Sequence, residues 1–187
     1  PDRIWATEGD SPSFLYLLAN GLNVPEHPEY GGWGGRFDLV EQKGIRGMSF
    51  ISRSGKDESK YDPYYMTASA KEGVGAINKW RQAIWNNFAA RMSWTAAGIY
   101  EEANHHPVAM IGRDRTLECL TKSVRPGSVM KVDASSTYDP DGDPMTFRWE
   151  IYKEPGTYKG RIQLQGADLP ECSVMIPDDA AGSVIHL

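Results

Sequence analysis

Basic residues are too thinly spread in this chain to leave a nucleic-acid footprint. Its 20 Lys and Arg are outnumbered by 25 Asp and Glu, for a formal net charge of −5. No run of them forms a stripe that could follow a phosphate backbone. Long apolar runs are missing as well: none approaches the ~20 residues that span a bilayer, so no membrane partner is expected. Cysteine is scarce. Cys119 and Cys172 are too few for a disulfide framework and lack metal-site spacing. Two separate buried thiols, or one bridge between neighbouring strands, both remain open. A phosphate loop is excluded too, because in "GGWGGRF" Phe37 stands where G-x-G-x-x-G needs its last Gly, and no Gly-Lys-Ser/Thr occurs. "PDRIWATEGD" has no basic region, apolar core or initiator Met. At the other end "GSVIHL" stops on what reads as mid-strand, so a fragment cut at both ends is expected. There is no internal repeat and no low-complexity tract.

What is present is globular composition with generous aromatics: 11% of 187 residues, including six Trp and nine Tyr. That length holds one large domain or two small ones. One stretch, "DASSTYDPDGDPMTFRWE", reads at first as a calcium loop. Asp139, Asp141, Asp143 and Glu150 occupy the first, third, fifth and twelfth positions of an EF-hand frame. Pro144 stands where that loop needs Gly, and the flanks alternate with period two, so helices are excluded. Met145, Phe147, Trp149 and Ile151 would face inward, and Thr146, Arg148, Glu150 and Tyr152 outward. Val129, Lys131 and Asp133 alternate likewise with Met130, Val132 and Ala134. The Asp-rich run is thus expected to be a turn between strands, and Trp149 the central plug of a small sandwich.

Along the chain, "RIWAT" predicts a strand and "EGDSP" a loop. A helix follows from Pro12 with Asp10 or Ser11 as cap, burying Phe14, Leu15, Leu17 and Leu18. Residues 23–63 are loop-rich, a length that in a compact domain is functional or disordered. A helix is predicted from about Gly75 to Gly98, with Ile77, Trp80, Ile84 and Phe88 on one face and Trp85, Met92 and Trp94 widening it. "NHHPVAM" reads as a linker. His105 and His106 point apart in an extended chain, a poor geometry for one metal. From about Ala109 onward the pattern is short strands with turns.

The segments "EGDSPSFLYLLANGL", "PEHPEYGGWGGRF", "FAARMSW", "EANHHP" and "DASSTYDPDGDPMTFRWEIYKEPGTYKG" together resemble a family of exported bacterial proteins. These are nucleoside hydrolase-like, and some are called cellulose-binding. The resemblance implies a fold in two parts. Residues 1–106 would be the C-terminal portion of an α/β, parallel-sheet nucleoside hydrolase-like domain. Residues 107–187 would be an all-β sandwich resembling immunoglobulin or polycystic-kidney-disease (PKD) domains, truncated at its C-terminus. It also implies an extracellular or periplasmic location and a carbohydrate or nucleoside-like small molecule as partner.

Nucleoside hydrolases cleave an N-glycosidic bond with a water activated by Ca2+ and an Asp base. Their Asp-rich loop near the N-terminus has no counterpart here, so this chain alone is expected to hydrolyse no nucleoside. Asp10 does resemble their late metal-binding Asp, with Gly9 where the hydrolases carry His. Two readings of Asp10 therefore stand: a helix N-cap, worth about 1 kcal/mol, or a calcium ligand in the complete protein. Glu8 could hydrogen-bond a sugar hydroxyl or simply be solvated. Trp33, on glycines that read as a flexible stalk, could stack on a sugar ring or plug a surface hollow. Asp10 is expected to share a pocket with the loop holding His27, Glu29 and Trp33. The resemblance implies a calcium-dependent glycosidic hydrolase acting on an N-riboside or furanoside-like sugar; the alternative is a non-catalytic carbohydrate-binding protein.

Overall fold

The computed structural model describes residues 14–15, 17–40, 64–66, 71–73 and 75–187. They fall into two compact units divided after Trp80, with residues 19–22 grouped with the second. The "RIWAT" strand, Glu8 and Asp10 lie outside the described residues.

In the first unit, Leu17 and Leu18 donate their backbone N–H groups to Phe14 and Leu15 at 3.1 and 3.3 Å. A spacing of three residues eclipses side chains at i and i+3. Phe14 and Leu17 accordingly share one edge and are 70% and 71% exposed, whereas Leu15 and Leu18 are half-buried. The expected burial of all four therefore fails. Strands β1 (Asp38–Val40) and β2 (Tyr64–Met66) pair antiparallel, Leu39 opposite Tyr65.

The long helix predicted from Gly75 is two helices, α1 (Gly75–Asn78) and α2 (Arg81–Ala96). The Trp80 amide closes on Ile77, three residues back, at 3.0 Å; that tighter turn ends α1. The apolar face expected along this stretch is not buried on α2. Ile84 is buried, but Trp85, Phe88 and Met92 are exposed. No helix among the described residues is long and apolar enough to cross a membrane.

The second unit carries an antiparallel three-stranded sheet in the order β3 (Val129–Asp133), β5 (Glu171–Met175), β4 (Gln163–Gln165). Val174 lies at its centre, opposite Met130 on one side and Leu164 on the other. It is fully buried and clusters with Ile176 and Ala180, against which Met130, Tyr158, Ile162, Leu164 and Ile185 pack. The predicted alternation on β3 holds: Met130 and Val132 are half-buried and Lys131 and Asp133 exposed. Cys172 is buried in β5 and Cys119 exposed, both as free thiols. Desolvation pushes both thiols up.

Residues 145–151 keep the predicted alternation of half-buried and exposed side chains, but they join no strand of this sheet. Two expectations change with that. Trp149 is only half-buried. Tyr152, placed on the outer face by period two, is buried at 6% exposure, because its backbone pairs with His186 (N–H to O 2.9 Å) and turns the chain inward.

Candidate functional site

The Gly-rich loop is a clamped hairpin, not a flexible stalk. Gly32 and Gly35 exchange both backbone hydrogen bonds at 2.9 Å, holding Trp33 and Gly34 at the tip. A Cβ on Gly32 would overlap the Asn23 side-chain amide, and one on Gly35 (φ 103°) would sit 3.0 Å from Ile77. Only glycine permits both approaches. Asn23 is fixed in turn, its Nδ2 donating to the carbonyls of Leu18 (2.7 Å) and Leu15 (3.2 Å).

At the base of the loop, Pro28 accepts the N–H groups of Gly31 and Phe37 at 3.2 and 3.3 Å. Arg36 donates from Nε and Nη2 to Glu72 at 3.1 and 2.8 Å. Burial pushes the Glu72 carboxyl up, but the Arg36 hydrogen bonds and charge outweigh it and hold it below its ordinary value. Beside the loop, His27 meets Glu29 at 2.9 Å and stacks on Tyr30, ring centroids 4.5 Å apart. Trp33 is half-buried, so part of its indole faces solvent from a rigid mount. Glu8 and Asp10 lie outside the described residues, and so does the pocket Asp10 would share with this loop.

The acidic turn of the second unit is built as a turn. Asp139 accepts the N–H groups of Asp141 and Asp143 on one carboxylate oxygen, at 2.9 and 3.2 Å, the side-chain hydrogen bonding that favours Asp in turns. Gly142 takes φ 78°. Asp141 accepts the backbone N–H of His105, while its other oxygen lies 3.1 Å from His105 Nδ1. With its amide turned to donate, Asn104 reaches Asp143 and Asp141 at 3.1 and 3.2 Å.

The His105 hydrogen bonds hold the Asp141 carboxyl below its ordinary value. Carboxylate oxygens occupied by N–H donors do not suit a calcium shell. Among the described residues no group of three or more His, Cys, Asp or Glu could hold a metal. Glu150 pairs instead with Arg148 at 3.1 Å. The linker reading of "NHHP" changes for His105, which stacks on Tyr100 with centroids 3.7 Å apart. Nothing local in the sequence announced its pairing with Asp141, 36 residues away.

A feature the sequence reading missed is an open groove of about 460 Å³ in the second unit. Met110, Ile111, Met145, Phe147, Trp149 and buried Ala134 are among the residues that line it. The alternating pattern of 145–151 was its signal, but that pattern reads equally as core.

Residues 1–37 match the family model described as cellulose-binding Sde182, nucleoside hydrolase-like domain. Residues 129–187 match that of cellulose-binding protein Sde0182, C-terminal domain. A search of curated proteins finds no match. Among solved structures the chain is similar to a nucleoside hydrolase-related hypothetical protein from Saccharophagus degradans, described as associated with carbohydrate metabolism. The two share 38% identity with a TM-score of 0.80, over 99% of this chain and 43% of that one. The chain thus spans less than half of that protein's length. The two ends of the chain match, in order, the two domain models of cellulose-binding, nucleoside hydrolase-like proteins.

Proposed function

We propose that this chain is the carbohydrate-binding, C-terminal part of an exported nucleoside hydrolase-like protein, and that Trp33 stacks on a sugar ring. The observation that carries the reading is the mount of Trp33. Two glycines that cannot become alanine without a clash or strain fix the hairpin beneath it, and the indole remains part-exposed. A pre-organised aromatic face loses little entropy on binding. The C–H faces of a pyranose suit its negative quadrupole. The matches to families named for cellulose binding support a polysaccharide as partner. We assign the second unit to an immunoglobulin- or PKD-like sandwich, supported by its antiparallel three-stranded sheet. Extracellular or periplasmic location follows from that partner.

The test is depletion of the purified chain from solution by microcrystalline cellulose. The parent should be depleted and Trp33→Ala markedly less so. Equal depletion of both would overturn the role of Trp33.

A second reading rests on the nucleoside hydrolase-like match over residues 1–37, which includes Glu8 and Asp10. In the longer protein Asp10 binds calcium and Glu8 a sugar hydroxyl. Calorimetric titration of that longer protein with calcium should then show weaker binding in Asp10→Ala but not in Asp139→Ala. Unchanged binding in Asp10→Ala would leave it a helix cap.

A further inference from the structure

We propose that the groove of the second unit, whose lining does not include Trp33, is a second glycan-binding site, which takes a neutral chain of β-linked pyranoses. Hydrogen bonds fix two of the segments that line it. Around 108–112, Val108 donates to Tyr138 at 2.8 Å, Met110 to Thr137 Oγ1 at 3.0 Å, and Gly112 to Asp133 at 2.6 Å. In the other segment, Trp149 donates its backbone N–H to Ala167 and its indole Nε1 to Leu169, each at 2.7 Å. That second bond locks the ring plane and uses up its only donor, so what Trp149 offers a ligand is its face. Phe147, two residues earlier, presents a second aromatic surface to the same groove. Ala134, small and buried, is part of the same lining.

Charge selects the occupant. Among the described residues that line the groove, Arg148 alone is charged, and Glu150 stands 3.1 Å from its guanidinium. A site with no net charge gains nothing from a phosphate backbone or an acidic polymer. A neutral sugar chain satisfies an apolar trough differently, laying its C–H faces on the rings and keeping its hydroxyls in water. A volume of about 460 Å³ lies in the range of ligand sites, roughly 300–1,000 Å³. The inference rests on the carbohydrate reading above but not on Trp33.

The experiment is calorimetric titration of the whole chain with cellohexaose, for the parent, Trp149→Ala, Ala109→Arg and Trp33→Ala. Ala109 is exposed and lines the groove, so Ala109→Arg obstructs the groove without touching the core if Trp149→Ala fails to fold. Each groove variant should weaken binding roughly tenfold, equivalent to about 1.4 kcal/mol. Groove variants that bind as the parent does, with Trp33→Ala weakened, would overturn the groove and leave the carbohydrate reading standing. A parent that binds no cellohexaose would overturn both. Sedimentation of the same proteins covers another occupant: a dimer that Ala109→Arg dissociates would make the groove an interface between copies and sink the glycan site.

Discussion

Replacing Val174 with Ala should cost the second unit about 2–3 kcal/mol, more than any other methyl-sized deletion on its sheet. Val174 is fully buried, in the middle strand of three, between Met130 and Leu164. Removing two carbons forfeits about 1.6 kcal/mol of burial at ~0.8 per group. The residual cavity adds to that, since two hydrogen-bonded neighbours leave the strand little freedom to collapse. For a unit of this size the melting point should fall by about 10 °C. Thermal unfolding followed by circular dichroism reads it, with Lys131→Ala as control, exposed on the neighbouring strand and expected within about 0.5 kcal/mol of the parent. Should Val174→Ala melt with Lys131→Ala, the hydrophobic centre of this unit lies elsewhere.

Trp149→Phe removes the Nε1 bond to Leu169 but keeps a ring, and should cost about 1 kcal/mol in urea unfolding; a loss above about 3 kcal/mol would return Trp149 to the core. Gly35→Ala, at φ 103°, should destabilise the hairpin by about 1–3 kcal/mol and lower cellulose binding. Binding at parental strength would show that the hairpin need not be rigid. Glu72 and Asp141 both have lowered folded-state pKa values, Glu72 because the Arg36 interactions outweigh its burial and Asp141 through the His105 hydrogen bonds. Each therefore contributes stability above the ordinary carboxylate range that is lost as pH falls through its folded pKa. Carboxyl-carbon NMR titration of the parent and Arg36→Ala should show Glu72 moving up in the variant and Asp141 unmoved; a stationary Glu72 would refute the pairing.

Local patterns translated well where one residue type had one use. The hydrogen-bonded Asp-rich turn and the alternation of β3 came out as read, though no strand directly follows the turn, because period two and Asx hydrogen bonds are settled within a few residues. Trp149 and Tyr152 did not, since amphipathic alternation says which side chains share a face but not whether anything covers it. The break at Lys79 and Trp80 carries no Gly or Pro, so propensity could not announce it. The clamp on Trp33 depends on Asn23 and Ile77, long-range neighbours that spacing alone does not reveal. His105 on Asp141 is missed for the same reason. The family resemblance supplied the carbohydrate partner, which no single residue of this chain would have named.

The proposed binding depends on aromatic faces that meet a sugar chain, and the indole N–H resonances report on them directly. In a two-dimensional nitrogen–proton spectrum titrated with cellohexaose, the Trp33 and Trp149 indole peaks should shift in a saturable manner. Trp94, whose Nε1 is bonded to the Asn104 carbonyl at 2.8 Å and which does not line the groove, should stay in place. A spectrum in which no indole peak moves, or only that of Trp94 does, would contradict the account.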